Sequence, residues 1–161
     1  MKFELLNTKQ HNRQQFDCGV NVLNIYLQRF ANQDQKRNLT RIYVLAEETR
    51  IIGYYSISAH SVLTNELPDG KRLAHYPYAP FLLLGRLAID NDFKGQGFGD
   101  ALLFHAFKTT LDMAEKIGIL GMVVDAKDET ATRFYEKFGF KRLIASPNRL
   151  VLPLSALAPL L

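Results

Sequence analysis

The chain has 161 residues, of which 47% are hydrophobic and 22% charged, the balance of an ordinary globule large enough for one domain with its own core. Its single cysteine, Cys18, excludes an internal disulfide, four scattered histidines give no C-x-x-C or H-E-x-x-H spacing and so no expected metal, and no apolar run is long enough to span a bilayer. With no signal peptide evident at Met1-Lys2-Phe3-Glu4, a reducing cytoplasm is the expected compartment, with no membrane partner. The 20 basic residues exceed the 16 acidic ones by +4, but they are dispersed along the chain, so the surface favours polyanions only modestly.

Residues 3–6 read as a short opening strand. Asp17 stands where an N-cap would, ahead of Leu23, Leu27 and Phe30 at helical spacing. This predicts a helix to about Gln33 with Cys18 in its first turn. Helix N-termini lower thiol pKa values, but without a placed base Cys18 reads as a packed structural cysteine. In residues 40–47, Ile42, Val44 and Ala46 alternate onto one face, residues 51–59 are rich in β-formers, and Glu48-Thr49-Arg50 joins the two as a hairpin. Residues 61–80 hold Pro68-Asp69-Gly70, Pro77 and Pro80 and read as a long irregular loop.

Residues 81–90 are too apolar for a half-solvated strand and belong in the middle of a sheet, with Gly85 marking a bulge or a close backbone approach. The glycine-spaced turn Lys94-Gly95-Gln96-Gly97-Phe98-Gly99 leads into a helix. Leu103, Phe107, Thr110, Ala114 and Ile117 mark one of its faces, and His105, Lys108, Asp112 and Glu115 the other, which puts His105 in solvent. Residues 119–126 form another buried strand. A helix follows with Ala131, Phe134, Tyr135 and Phe138 on one stripe, closed by Gly139 with Phe140 as its apolar contact. A strand pair over 141–145 and 149–154 ends the fold, and the apolar tail 155–161 covers an edge or another subunit. There is no repeat or linker, so residues 1–161 are expected to form a single domain of mixed α/β architecture.

Glycines between a strand and a helix leave backbone N–H groups open to an anion, and the helix start adds partial positive charge. Gly95-Gln96-Gly97-Phe98-Gly99 is G-x-G-x-G, which is neither the dinucleotide fingerprint nor a Walker loop. A phosphate-bearing ligand fits it; so does a plain strand-to-helix turn. Spacing alone likewise makes Tyr135 a core residue.

The loop resembles the acyl-CoA loop of the GNAT superfamily of N-acetyltransferases: Arg or Gln, two residues, Gly, one residue, then Gly or Ala. The pattern falls on Lys94, Gly97 and Gly99, with Lys94 replacing the usual Arg or Gln. Five further strings resemble one GNAT subgroup, the acetyltransferase toxins of bacterial toxin–antitoxin pairs. They are Phe16-Asp17-Cys18-Gly19, Gly53-Tyr54-Tyr55-Ser56, Gly85-Arg86-Leu87-Ala88-Ile89-Asp90, Val124-Asp125-Ala126-Lys127-Asp128-Glu129 and Phe134-Tyr135-Glu136-Lys137-Phe138-Gly139-Phe140.

The resemblance implies a GNAT fold, a mixed and mostly antiparallel sheet of about seven strands flanked by helices, bulged near Gly85-Arg86. It implies acetyl-CoA as cosubstrate, with the backbone of Leu87, Ala88 and Ile89 pairing with pantetheine, and Lys94 and the amides of Gly95, Gln96, Gly97, Phe98, Gly99 and Asp100 at the pyrophosphate. Tyr135 matches the subgroup's catalytic tyrosine. The acceptor it implies is the α-amino group of aminoacyl-tRNA, whose acetylation blocks translation, and the implied partners are a ribbon-helix-helix antitoxin and a second copy in a homodimer. Arg86 either orients substrate or braces the sheet. Lys36, Arg37, Lys71, Arg72, Arg133 and Lys137 are candidate phosphate contacts for the RNA. His60, His75, Glu66 and water are candidate proton acceptors. The competing readings are acetylation of a small amine or a protein N-terminus, and a GNAT-fold binding module without turnover.

Overall fold

The computed structural model describes residues 1–73 and 75–161. Seven strands, β1 (Lys2–Leu5), β2 (Arg41–Glu47), β3 (Arg50–Leu63), β4 (Tyr78–Ile89), β5 (Gly121–Asp125), β6 (Lys141–Arg142) and β7 (Arg149–Pro153), form one sheet in the order β1-β2-β3-β4-β5-β7-β6. The β1–β2, β2–β3, β5–β7 and β6–β7 pairs are antiparallel and β4–β5 is parallel, the mixed α/β sheet the strand order predicts. A helical run of α1 (Asn21–Ile25), a π-wound turn (Tyr26–Phe30) and α2 (Ala31–Lys36) precedes β2, and α3 (Phe98–Ala114), α4 (Glu129–Glu136) and α5 (Leu154–Leu157) follow later strands. The chain divides into two compact units, Met1–Ser58 with Gly85–Ala106, and Ala59–Leu84 with Phe107–Leu161.

In the first unit, Glu48 takes φ +55° to turn β2 back into β3, as the hairpin reading requires. Ile42, Val44 and Ala46 pack with Leu27, Ala31, Ile51 and Tyr54, so the helical run covers the face that the alternation assigns to the core. The opposite face is covered as well, because Phe3, Tyr43 and Tyr55 gather around His105 of α3. His105 stacks on Phe3 at 4.1 Å and its Nδ1 lies 2.8 Å from the Tyr55 hydroxyl. The solvated His105 expected from helical spacing is therefore corrected: aromatic partners from three strands half-bury this one residue, while Lys108, Asp112 and Glu115 of the same stripe stay exposed.

The helix expected to start after Asp17 starts at Asn21 and continues to Lys36. Asp17 closes a turn instead. Its Oδ1 accepts from the Gly19 N–H and from Asn24 Nδ2, each at 2.9 Å, and Gly19 takes φ +83°, where a Cβ would be strained. Cys18 precedes the helix, 3% exposed within the core.

In the second unit, the end of β3 and the start of β4 frame a core of Val62, Ala79, Phe81, Val123, Leu143 and Val151. The irregular loop expected over 61–80 is shorter and more ordered than its prolines suggest. β3 runs to Leu63, 3-10 turns occupy Thr64–Glu66 and Gly70–Leu73, and β4 resumes at Tyr78. Ala74 of that segment lies outside the described residues. Thr64 organises the crossing: its N–H donates to Pro77 O at 3.0 Å and its Oγ1 to Tyr76 O at 2.6 Å. Gly121 is required in β5, since a Cβ there would strike the Leu152 carbonyl of β7. The tail forms α5 and buries Leu157, while Leu161 stays exposed.

Candidate active site

In the first unit, β4 delivers the chain to the glycine turn. Gly53 of β3 admits the strand closely, because a Cβ there would meet Ala88 O at 2.9 Å and Ile89 Cδ1 at 2.7 Å. Leu87, Ala88 and Ile89 thus sit against β3, and the Asp90 N–H donates to Ile52 O. A Cβ at Gly85 would meet Ser56 Oγ at 3.1 Å, a side-chain neighbour and not a close backbone approach.

Asp90, 2% exposed, anchors the approach to the turn. Its Oδ1 accepts from the Asp92 N–H at 2.9 Å and from Arg50 Nη2 at 3.3 Å, and its Oδ2 accepts from the Asp17 N–H at 3.0 Å. Arg50 also bonds Asp92 at 2.8 Å and lies over the Phe93 ring. Arg50 Nε is the one fully enclosed side-chain polar atom without a partner among the described residues. The roles of Asp90 and Arg50 as loop anchors are not visible in the sequence, because apart from the Asp92 amide beside Asp90 their partners lie 40 to 73 positions away.

Gly95 and Gly97 take φ +77° and +83°, and Cβ atoms built at Gly95, Gly97 or Gly99 meet nothing within 4 Å. Packing does not ask for these glycines. The first described bond closing α3 runs from the Ala101 N–H to Gly97 O. Among the described residues, the backbone N–H groups of Gly95, Gln96, Gly97, Phe98, Gly99 and Asp100 have no protein acceptor. Open amides at a helix start, bare of side chains, fit a pyrophosphate. Beside them, Lys94 Nζ donates to Cys18 O at 2.7 Å and so ties the turn to the Asp17–Gly19 loop, leaving two further N–H donors on the ammonium.

Arg86 reaches from β4 to the helical run and to β3. Its guanidinium lies 3.4 Å from the Tyr26 ring centroid and Nη1 is 3.5 Å from Ser56 Oγ. Tyr26 in turn donates to Asp34 Oδ2 at 2.7 Å, and burial together with that carboxylate pushes its phenol up to about 12. Lys36 and Arg37 are exposed at the end of α2.

In the second unit, Asp128 caps α4 through an Oδ1 bond from the Ala131 N–H at 2.8 Å. Thr132 and Tyr135 face inward, at 0% and 7% exposed. Tyr135 lies edge-on to Phe134 and Phe140 at 5.2 and 5.4 Å. Its hydroxyl has no partner among the described residues and is not fully enclosed. Burial raises the phenol pKa well above its ordinary value, so the group is a donor at neutral pH. Arg142 of β6 grips α4 from outside, with Nη2 at 2.8 Å from Glu129 and 3.1 Å from Glu136.

The RNA candidates fall into separate groups. Lys71 and Arg72 share one exposed 3-10 turn, Arg72 pairing with Asp69 at 3.3 Å. Arg133 and Lys137 lie one turn apart on the outside of α4, Arg133 at 3.8 Å from Glu129 and Lys137 over Phe134 at 5.3 Å.

Of the proton-acceptor candidates, His75 is exposed and Glu66 half-buried. His60 Nε2 lies 2.8 Å from Arg149 Nη1, and Arg149 holds Asp125 through Nε at 2.6 Å and Nη2 at 2.9 Å. Asp125 and Arg149 are direct cross-strand partners, a pairing that sequence spacing does not disclose. No helix among the described residues is long and apolar enough to cross a membrane, and no described cluster of His, Cys, Asp and Glu has a metal-binding arrangement.

A strand-to-helix turn of open amides on this strand order suits an acyl-CoA-type transferase, and the family described as acetyltransferase (GNAT) domain matches residues 38–142: the chain belongs to the GNAT acetyltransferase family. Within it, a probable toxin TacT of Sinorhizobium fredii (strain NBRC 101917 / NGR234) is 30% identical, the match covering 98% of this chain and 93% of the relative. The structure of AtaT complexed with acetyl-methionyl-tRNAfMet superposes with a TM-score of 0.91 at 30% identity, over 99% of this chain and 98% of AtaT. A tyrosine-to-phenylalanine mutant of the AtaT toxin, bound to the C-terminus of the antitoxin AtaR and acetyl-CoA, superposes at 0.85 with 29% identity, over 99% and 96%.

Proposed function

We propose that this chain is an acetyl-CoA-dependent N-acetyltransferase that acts as a toxin, acetylating the α-amino group of aminoacyl-tRNA and blocking translation. What carries the reading is the open arc of amides at residues 95–100 in a chain that follows, over 99% of its length, the AtaT fold seen with acetyl-methionyl-tRNA. The amides of Gly95, Gln96, Gly97, Phe98, Gly99 and Asp100 take the pyrophosphate and the β4 backbone at Leu87, Ala88 and Ile89 takes the pantetheine arm. The whole chain works as one catalytic domain in the cytoplasm, as a homodimer restrained by a ribbon-helix-helix antitoxin.

The acceptor amine must be neutral to attack. A free α-amino group titrates at about 7.7–8.0, and its esterification to tRNA removes the neighbouring carboxylate and lowers that further, so no strong base is needed. Tyr135 acts on the leaving side. A phenol near 10 protonating a thiolate near 8.5 is uphill by about 2 kcal/mol, and burial of Tyr135 widens the gap. Its role is therefore to donate a hydrogen bond to the departing sulfur as charge develops there. A hydroxyl with no partner among the described residues is free to make that bond.

The test is transfer of labelled acetyl from acetyl-CoA to a pool of charged tRNAs, native chain against Tyr135→Phe. Labelled aminoacyl-tRNA that largely disappears in the variant is the expected result. A native protein that binds acetyl-CoA but labels no charged tRNA defeats the reading and redirects it to small amines and protein N-termini.

A further inference from the structure

We propose that His60 positions the acceptor as a hydrogen-bond donor, locked in its Nδ1–H form by Arg149, and is not the proton acceptor of the reaction. This deepens the acetyltransfer reading above and rests on it. A guanidinium has N–H groups and no acceptor, so the 2.8 Å approach of Arg149 Nη1 to His60 Nε2 places a lone pair on Nε2. That lone pair is the one a base would offer, and a permanent cation already occupies it. The imidazole proton consequently resides on Nδ1.

Arg149 cannot easily leave. Asp125 holds two of its nitrogens at 2.6 and 2.9 Å, a bidentate geometry that fixes the plane of the guanidinium, and the two residues face each other in the β5–β7 ladder. The charged groups around the imidazole are thus Arg149 from β7 and Asp125 from β5, with Glu66 acting on Arg149. Burial and the Arg149 charge both hold the imidazole below its ordinary pKa, with Asp125 opposing, which keeps the ring neutral. Its Nδ1–H has no partner among the described residues and is not fully enclosed.

The placement suits substrate. Asp125 ends β5, which is parallel to β4, and ligands of α/β sheets gather beyond the carboxyl ends of such strands. Asp128, three residues on, caps the helix that carries Tyr135. A neutral donor there matches a carbonyl oxygen, and the ester carbonyl of an aminoacyl group is the acceptor's own. Asp125 and Arg149 are positioning residues acting through His60.

Two measurements test this. Long-range 1H–15N correlation on the native protein should show His60 protonated at Nδ1 and bare at Nε2 between about pH 6 and 8, with Arg149→Gln releasing the preference. In acetyl transfer to charged tRNA, His60→Ala should raise KM about tenfold, the size of one hydrogen bond, with kcat and the acid limb of the pH profile unchanged. His60→Asn, whose amide nitrogen falls near the Nδ1 position, should recover most of the loss. An Nε2–H ring in the native protein, an unchanged KM in His60→Ala, or loss of the acid limb together with kcat would each overturn the proposal. A native protein that labels no charged tRNA defeats the function proposed above, and that result is read before any His60 variant is made, so the two failures are separable.

Discussion

Asp90 Oδ2 accepts the backbone N–H of Asp17 at 3.0 Å, joining two loops 73 residues apart in the chain. The same buried carboxylate holds the Asp92 N–H and Arg50, so one side chain sets the exit of β4 just ahead of the glycine turn. Asp90→Ala should cost about 2–4 kcal/mol, because it leaves the Asp17 and Asp92 amides unpaired and removes the buried one of Arg50's two carboxylate partners. Urea unfolding measures this, and acetyl-CoA affinity should fall with it. Full affinity retained in a destabilised Asp90→Ala protein would separate the anchor from the turn.

Gly97 and Gly99 should part company on substitution by alanine. Gly97 sits at φ +83°, where a Cβ costs about 1–2 kcal/mol. Gly99 has no such strain and open space around it, so Gly99→Ala should leave the melting temperature unchanged or raise stability by up to about 1 kcal/mol. It should nevertheless weaken acetyl-CoA binding by about tenfold, since the new methyl stands in the proposed phosphate site. Calorimetric titration beside thermal unfolding checks both halves.

Tyr135→Phe removes a hydroxyl that bonds to nothing in the described protein. Stability should therefore shift by no more than about 0.5 kcal/mol, while kcat for acetyl transfer falls about 100-fold. With the native phenol pKa raised by burial, the rate should show no alkaline decline from this group up to about pH 10. A steep unfolding penalty in Tyr135→Phe would reveal a structural bond instead.

Burial and Arg149 hold the folded pKa of His60 below its ordinary 6.5. As pH falls past that value the unfolded chain takes up the proton first, so stability declines until the lowered folded pKa is reached and then levels off. Unfolding free energies measured across this window should fall less in His60→Asn than in the native chain.

Arg133 and Lys137 on α4, and Lys71 with Arg72, are exposed cations. If they meet RNA phosphates, kcat/KM on charged tRNA should fall steeply with salt, and each alanine should reduce the log–log slope by roughly one. Unaltered slopes in all four variants would move the RNA path elsewhere.

Local chemistry was readable wherever a short stretch decides its own conformation. Alternation at Ile42, Val44 and Ala46 located a strand and its core face, the left-handed Gly95, Gly97 and Gly139 mark turns the glycine spacing anticipates, and the stripe through Tyr135 located α4. What failed to show was set by partners far along the chain. Asp17 has the chemistry of an N-cap but commits its carboxylate to Gly19 and Asn24, and its N–H is claimed by Asp90. His105 occupies a polar stripe of its helix yet meets Phe3, Tyr43 and Tyr55, because the sheet presents aromatics on both faces. The bond from Lys94 to Cys18 O spans 76 positions, and the Asp125–Arg149 pair exists only in the β5–β7 register.

β7 lies between β5 and β6 although it is the last strand made, so β5, which leads into the Tyr135 helix, lacks its antiparallel neighbour until residues 149–153 have been synthesised. A ribosome producing this chain must therefore extrude residues 149–153 before that part of the sheet can close. With the charged tRNA that feeds that ribosome as the proposed substrate, the strand order withholds activity from each copy until β7 has emerged and paired.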